Sequence, residues 1–389
     1  MPTNAPRTTI KRSRASRRIR LADLRTLETK RPGGSNCAEK RTTRPLRVGL
    51  VGAGTNVQAP GGGEIQLVET WRALERLNIA ARYWQPGIDR LDDVDCLHLF
   101  GSHQGWLPIV ADAQRRGKPV AVSTVAWFDL ASRWSETAPL LTRLRGTVGQ
   151  LARTICPSIP SWRRRLYHAA DVLLPNSDAE AEQLTRYFGV PRSKITVVPN
   201  GADPDLAKVS PEAFARRVGG NGFILSAGRI EPRKNQLALI EAMAGSAHQL
   251  VLLGDIVPGH ENYAAACRQA AGANVRFEPA LSHDDPMLAS AFAACGCLVL
   301  PSWFETPGLV AIEAAMLGKP LVLTDRGATR EYFGELADYV TPSDRAGIRR
   351  AVDRALVAGS NPLLADWVRQ RYTWHAAAQA TREAYATIL

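Results

Sequence analysis

The chain has 389 residues, 45% of them hydrophobic, which is enough to form two domains with separate cores. No stretch is apolar enough to span a membrane and no signal-peptide core lies near the N-terminus, so the sequence predicts a cytoplasmic protein. The net charge is +12, but residues 1–47 contain 14 basic residues and three acidic ones, so the rest of the chain is nearly neutral.

Cysteine and histidine are too scattered to indicate a metal centre or a disulfide framework. The six cysteines include no CxxC pair, and the seven histidines show no HxxxH spacing. Cys295 and Cys297 lead into a buried strand, where they fit the role of small hydrophobic residues. We therefore expect a reducing compartment, no disulfides and no bound metal.

The first 45 residues are rich in Arg, Thr, Ser and Pro, and Pro32–Ser35 would interrupt any helix. This composition predicts a disordered basic tail. Such a tail can bind nucleic acid or anionic lipid, and a tail without function fits equally well. Because no aromatic residue lies between the arginines, the sequence indicates no specific nucleic-acid partner.

A glycine-rich segment follows the first predicted strand, Leu46–Val51. Gly52–Val57 imitates a dinucleotide-binding fingerprint, but Val57 stands where the third glycine belongs, so the motif indicates NAD binding only weakly. A helix is predicted over Ile65–Leu77, and a run of glycines before it would let the backbone approach a ligand: Gly61, Gly62 and Gly63. A surface loop without a ligand is the alternative.

Three further strands are predicted over Ala80–Trp84, Cys96–Phe100 and Pro119–Ser123, with a helix between the last two. His98 alternates with apolar residues inside the second of these strands, which indicates a core histidine. His103 lies just beyond the end of that strand and is better placed to face a cleft. We therefore take His103 as a candidate catalytic residue.

Apolar residues at helical spacing form a stripe: Leu141, Leu144, Val148, Leu151 and Ile155. Between Arg133 and His168 there are seven arginines and one acidic residue, Glu136. A basic amphipathic helix of this kind can lie on an anionic membrane surface. An ordinary helix packed on its own sheet also explains the stripe, and both interpretations stay open.

The passage Lys194–Asp203 contains the turn dipeptide Asn200-Gly201 and ends the first predicted domain, residues 46–205. Residues 206–220 are polar and rich in glycine, which predicts a linker. A second domain is expected over 221–366, followed by a helical segment over 367–389.

Two cations follow the first strand of the second domain, Phe223–Ser226. Arg229 can bind a diphosphate through two parallel hydrogen bonds, and Lys234 adds a point charge just before a helix. Further strands are predicted at Leu250–Leu253 and Val275–Phe277. The alternative is that both cations are simply solvated.

The segment Cys297–Thr324 has the pattern of a strand, a loop, a helix and a second strand, which predicts a parallel βαβ unit. Thr306 can cap the helix, and Pro307 suits its first position. Glu305 lies at the carboxyl end of the first strand, where open α/β sheets bind ligands. Glu313 is the only charged residue of an apolar helix and needs a partner. A ribose could provide one, if its diphosphate sat at the helix start.

This segment, with Glu305 and Glu313 separated by seven residues, resembles the donor-site signature of GT-B glycosyltransferases of family 4 (group 1). The stretch from Arg229 to Lys234 is similar to the diphosphate clamp of that family, and Lys194–Asp203 is similar to the passage that closes its first domain. The resemblance extends from about residue 46 to 389. It implies an α/β GT-B architecture with two Rossmann-like doubly wound domains facing a cleft, the first on the acceptor side. The last helix would cross back to the first domain.

The resemblance implies a retaining transferase that moves a sugar from a nucleotide-diphosphate sugar to a glycan or lipid-linked acceptor, in polysaccharide or cell-envelope glycan synthesis. It implies no cofactor and no metal, because cations bind the diphosphate. The residues that it implicates are Glu305 at the transferred sugar, Arg229, Lys234, Gly308 and Leu309 at the diphosphate, Glu313 at the ribose and Leu281 at the base.

Two positions depart from the family pattern. Many relatives have a histidine close to the transferred sugar where this sequence has Ala126, and Asn235 replaces a glycine after the clamp lysine. A binding protein that has lost its chemistry therefore remains an alternative, and an NAD-dependent enzyme would rest on Gly52–Val57. The sequence indicates neither the sugar, the base, the acceptor, the linkage nor the oligomeric state.

Overall fold

The computed structural model describes residues 44–52, 61–128 and 140–389, with backbone only for 140–143. The basic tail before residue 44 and most of the Gly52–Val57 motif lie outside the described residues. The described chain forms two α/β domains, each built on one parallel sheet. None of its described helices is long and apolar enough to cross a membrane.

The first domain has five strands in the order β2-β1-β3-β4-β5. The strands are β1 (Arg47–Val51), β2 (Ala80–Tyr83), β3 (Cys96–Phe100), β4 (Val120–Ser123) and β5 (Val172–Leu173). The helices are α1 (Gly62–Arg76), α2 (Trp106–Arg115), α3 (Leu140–Ile155), α4 (Trp162–Ala169) and α5 (Asp178–Phe188). Strands β3 and β4 are buried along their whole length, as apolar runs covered on both faces require. The strand order reverses between β1 and β3.

The second domain has six strands in the order β11-β10-β9-β6-β7-β8. The strands are β6 (Ile224–Ala227), β7 (Leu250–Leu253), β8 (Val275–Glu278), β9 (Cys297–Leu300), β10 (Leu321–Thr324) and β11 (Asp338–Val340). The helices are α6 (Glu212–Val218), α7 (Gln236–Ala242), α8 (Glu261–Ala270), α9 (Pro286–Ala294), α10 (Leu309–Met316), α11 (Thr329–Phe333) and α12 (Arg345–Ala358). The order reverses between β6 and β9, and open sheets of this kind bind ligands at such a reversal.

The segment 206–220, which the sequence predicts to be a linker, contains helix α6. Phe214, Ala215 and Val218 form one apolar face that is buried on α9, and the Phe214 N–H donates a hydrogen bond to Ser290 Oγ at 3.1 Å. Because this face needs cover, α6 belongs to the second domain rather than to a linker.

Two helices, α13 (Pro362–Arg371) and α14 (Trp374–Ala386), stand where the sequence suggests one helical segment. At the break between them, the Ala202 N–H donates to the Tyr372 carbonyl at 2.9 Å. Helix α14 then packs on α1 of the first domain. Its Tyr385 hydroxyl lies 2.7 Å from His98 Nδ1, and burial lowers the pKa of this core histidine to about 3.

Candidate active site

The reversal points of the two sheets face each other across the cleft. A Cβ on Gly61, after β1, would lie 3.3 Å from Arg229 Nη1, after β6. A Cβ on Gly62 would lie 3.8 Å from Leu309 Cδ1, at the start of α10. The start of α1 therefore lies close to the second domain at these two glycines.

Helix α1 begins at Gly62, three residues before the predicted start at Ile65, so Gly62 and Gly63 lie in its first turn rather than in a loop. The Glu64 carboxylate accepts a hydrogen bond from the Gly61 N–H at 2.8 Å, which satisfies one donor at the helix start. This interaction was not predicted, although an acidic residue in the first helical turn is a familiar sequence signal.

The cleft at this point favours an anion. The positive end of α10 faces the start of α1, and Arg229 lies beside the start of α1. The Glu64 carboxylate already accepts the Gly61 N–H at the start of α1, so the start of α10 and Arg229 are the groups that favour an anion. About a third of the Arg229 side chain is exposed, and its nearest carboxylate is Glu231, at 3.7 Å. Glu231 is held more closely by Arg233, at 2.7 Å. Arg229 is therefore the cation of this group that is best placed to bind a diphosphate.

Lys234 and Glu305, two residues that the sequence assigns to the site, form a buried ion pair. Lys234 Nζ lies 2.6 Å from Glu305 Oε1, and the Ser302 hydroxyl donates to the same oxygen at 2.6 Å. Burial disfavours charge on both groups and lowers the pKa of Lys234. Against burial, the charges of Lys234 and Arg233 hold the pKa of Glu305 below its ordinary value. Glu305 is therefore a carboxylate, only 3% exposed.

The loop that carries Glu305 differs from its prediction. Helix α10 begins at Leu309, and neither Thr306 nor Pro307 occupies the predicted cap and first positions. Gly308 is the residue before the helix, with φ +85°, and a Cβ there would lie 3.3 Å from Glu305 Oε2. The chain turns into the helix through this glycine, because positive φ and the close carboxylate both favour a residue without a side chain.

An aromatic contact joins the two domains beside Glu305. The Trp127 and Phe304 rings stack with centroids 6.4 Å apart, and the Arg233 guanidinium lies 5.2 Å from the Phe304 centroid. Trp127 follows Ala126 in the loop after β4. The contact with the Glu305 loop is therefore made by the residue next to Ala126, the position where many relatives have a histidine.

A fully buried carboxylate that sequence reasoning missed holds this loop. Glu180 accepts hydrogen bonds from the Thr124 hydroxyl (2.5 Å) and the Ala126 N–H (2.6 Å) through Oε1, and from the Asn176 N–H (2.9 Å) through Oε2. Burial raises its pKa, which these three donors oppose. The bonds secure Val125, which has φ +42°, an unfavourable value for a β-branched residue. Ser177 and Glu180 have capping-box spacing, but the carboxylate reaches the loop instead.

Glu313 has a protein partner that the sequence analysis did not identify. Its Oε1 lies 3.2 Å from His283 Nδ1, and His283 Nε2 lies 3.7 Å from Glu69 Oε1 on α1. Glu313 is 4% exposed, so an uncompensated charge there would be costly. The predicted need for a partner is met by His283 of the same domain, and His283 in turn faces Glu69 across the cleft.

Two other candidate residues are His103 in the first domain and Leu281 in the second. Desolvation and the charge of Arg163 hold the pKa of His103 below its ordinary value, against the opposing charge of Glu64 at the start of α1. Leu281 is partly buried against the interdomain core. A cavity of about 540 Å³ beside its loop is lined in part by Gly254, Asp255 and Pro279, and its lining does not include the ion pair or Glu313.

Each of the two domains matches the model of a known protein family. The model of Glycosyltransferase Family 4 matches residues 60–206, and the model of Glycosyl transferases group 1 matches residues 212–373. The chain belongs to the family 4, group 1 glycosyltransferases. The segment 212–373 contains Arg229, Lys234, the carboxylates Glu305 and Glu313, and His283.

Curated relatives and solved structures agree with this membership. The chain is 28% identical over 256 residues to the D-inositol 3-phosphate glycosyltransferase of Segniliparus rotundus, and the match covers 58% of this chain and 54% of that protein. It is 29% identical over 316 residues to the glycogen synthase of Mycobacterium tuberculosis, covering 74% and 71%. The chain thus spans about half the length of the inositol phosphate glycosyltransferase that it matches.

Among solved structures, sucrose-phosphate synthase from Thermosynechococcus elongatus is similar at a TM-score of 0.66 and 19% identity, covering 88% of this chain and 99% of that one. Anabaena HepE, solved with UDP and glucose, is similar at 0.65 and 20%, covering 88% and 100%. At these identities the comparison establishes the fold. The predicted GT-B architecture of two doubly wound domains is confirmed.

Proposed function

We propose that the protein is a retaining glycosyltransferase that moves a sugar from a nucleotide-diphosphate sugar to a glycan or lipid-linked acceptor, in polysaccharide or cell-envelope glycan synthesis. The observation that carries this proposal is the convergence of Arg229, the starts of α1 and α10, and the Lys234–Glu305 pair at the facing reversal points. Arg229 and Lys234 are cations, and the two helix starts are positive dipole ends. Glu305 is the carboxylate that holds Lys234 in place. Family membership and the relatives' names support the same class of reaction.

In the proposed reaction, Arg229 binds the leaving diphosphate through two parallel hydrogen bonds. The N–H groups of Gly308 and Leu309 donate hydrogen bonds to its other oxygens. Lys234 adds positive charge as negative charge develops on the leaving group. Lys234 and Ser302 both donate to Glu305 Oε1, while Oε2 lies toward Gly308 and is the oxygen we assign to the sugar. That carboxylate would orient the sugar and offset positive charge at the anomeric carbon.

The remaining candidate residues surround this centre. Glu313 would accept hydrogen bonds from the ribose hydroxyls, and the loop ending at Leu281 would contact the base. Of the main-chain donors in that loop, the Ala280 N–H already donates to Asp255 Oδ1 at 3.0 Å. His103 would face the acceptor, and Gly61 to Gly63 would leave room for it beside the donor.

We propose that the reaction requires neither a cofactor nor a divalent metal, since Arg229 and Lys234 supply the positive charge that a metal ion would otherwise provide. Activity should therefore be unchanged after dialysis against EDTA. Strict dependence on added Mg²⁺ or Mn²⁺ would contradict this part of the proposal.

We further propose that the protein acts at the cytoplasmic face of an anionic membrane, where lipid-linked acceptors would be found. Four apolar side chains of the α3 stripe are exposed, between 43% and 87%: Leu144, Val148, Leu151 and Ile155. Arg145 and Arg153 lie on the same helix, which suits anionic lipid. Val148→Glu should reduce flotation with anionic liposomes, whereas the control Val357→Glu, on the exposed face of α12, should not. Equal flotation of both variants would contradict membrane docking.

The proposal is tested by thermal shift with UDP, GDP, ADP and NAD, followed by assay of nucleoside diphosphate release from the matching sugar donor. A diphosphate present at 100 times its Kd should stabilise the wild type by about 2.7 kcal/mol. Glu313→Ala should weaken its binding at least about 10-fold, because charge-assisted hydrogen bonds are lost. The exposed Glu335→Ala is the control. Binding without any turnover would favour the inactive binding protein, and a shift with NAD alone would favour the NAD-dependent enzyme.

A further inference from the structure

Five ionisable side chains form a continuous series across the cleft, outside the diphosphate site. Helix α1 contributes Glu69 and Arg72, and the second domain contributes His283, Asp284 and Glu313. Arg72 Nη1 lies 2.6 Å from Glu69 Oε1 and 2.8 Å from Asp284 Oδ1, and Arg72 Nη2 lies 2.9 Å from Asp284 Oδ2. His283 completes the series between Glu69 and Glu313.

The series lies on the same face of α1 as the start of the diphosphate site. Gly62 and Glu69 are seven residues apart, close to two helical turns, so both point toward the second domain. Gly62 faces Leu309 at the start of α10, and Glu69 faces the histidine bound to Glu313, four residues farther along α10. A donor lying along α10 from its diphosphate would reach Glu313 where His283 holds it.

His283 is placed to hold the Glu313 carboxylate in one orientation. Glu313 and Glu69 are 4% and 8% exposed, so each needs a partner. Arg72 pairs with Glu69 at 2.6 Å, and His283 pairs with Glu313 at 3.2 Å. Burial of His283 opposes its charge, but the hydrogen bond and charge of Glu313, with the charges of Glu69 and Asp284, raise its pKa. Without the imidazole, the Glu313 side chain would be free to adopt another rotamer on an otherwise apolar helix.

We propose that His283 is a positioning residue that fixes the Glu313 carboxylate for recognition of the ribose hydroxyls and so gives the donor site its preference for ribonucleotides. This inference rests on the proposed function, because it assigns the ribose of the donor to Glu313. His283 acts through Glu313 and need not touch the donor itself. Its second nitrogen, facing Glu69, orients the ring from the first domain.

The test is isothermal titration of His283→Ala and His283→Asn with UDP, GDP or ADP, whichever binds the wild type most tightly, and with its 2′-deoxy and 3′-deoxy analogues. His283→Ala should weaken the ribonucleotide at least about 10-fold, in the range for loss of a charge-assisted hydrogen bond. For the deoxy analogue that lacks the recognised hydroxyl, the affinity should differ far less between the wild type and His283→Ala. His283→Asn should restore most of the ribonucleotide affinity, because its side-chain nitrogen can take the place of Nδ1.

The exposed His375→Ala is the matched control and should bind like the wild type. An equal loss for ribonucleotide and deoxy analogues would indicate only a structural role and would overturn the inference, as would unchanged binding by His283→Ala. If no nucleoside diphosphate binds the wild type, the proposed function itself fails and this inference falls with it. The wild-type titration therefore separates the two failures.

Discussion

Replacing Lys234 with methionine should destabilise the protein, although it removes only one charge. Glu305 is 3% exposed, and its cation lies 2.6 Å away. Loss of one partner from a buried pair costs about 3–5 kcal/mol, because the remaining charge is uncompensated. We expect the low end, about 3 kcal/mol, since the Ser302 hydroxyl still donates to Glu305 and the charge of Arg233 still acts on it. The double variant Lys234→Met with Glu305→Gln should recover most of this loss.

Urea denaturation at neutral pH, followed by fluorescence of the nine tryptophans, measures this effect. The control is Lys208→Met, because Lys208 and Asp205 are also 2.6 Å apart but largely exposed, so the urea midpoint should barely move. The deficit of the Lys234 variant should shrink as pH falls toward 4.5, the ordinary carboxyl pKa, since a protonated Glu305 needs no cation. A single variant within 1 kcal/mol of the wild type, or a double variant no more stable than the single one, would refute the reasoning.

Three further predictions concern stability in urea. Gly201→Ala should cost about 3 kcal/mol or more, because its Cβ would lie 2.2 Å from the Thr373 carbonyl carbon, a backbone atom that cannot yield; an unchanged midpoint would contradict this contact. The stability that the wild type gains over His283→Asn should be full below pH 6.5 and fall as pH rises through the raised pKa of His283, since only the folded protein holds the extra proton there; a gain that grows with pH would be inconsistent. Glu180→Ala should cost about 3–5 kcal/mol by leaving three donors without their acceptor, and a loss below 1 kcal/mol would count against this role.

The sheets could be predicted because their strands are short apolar runs. Cys96–Phe100 and Leu250–Leu253 have the same bounds in the structure as in the sequence analysis, and the parallel pair β9 and β10 encloses the predicted helix. Such strands are buried on both faces, so local composition alone identifies them. Their order, and with it the two facing reversal points, follows from the resemblance and not from the residues.

Helix starts and partners were harder to predict because they depend on tertiary contacts. The strong local signals of Thr306 and Pro307 lost to Gly308, whose positive φ accommodates the Glu305 carboxylate. Glu313, on helix α10, could be recognised as a charge in need of a partner. The histidine that pairs with it, His283, lies 30 residues earlier, on a loop. Sequence spacing carries no information about such a pair.

The packing of the last helix, α14, on α1 of the first domain has a consequence for synthesis on the ribosome. The first domain is otherwise complete near residue 203, yet the buried His98 can contact Tyr385, which lies 287 residues after it in the chain, only when the C-terminal helix has been synthesised. Until then, the surface of α1 that α14 covers is open to solvent or to a chaperone. The nascent first domain therefore stays incomplete while the whole second domain is synthesised. A fragment that ends near residue 203 would need residues 374–386, supplied as a separate peptide, to complete its core.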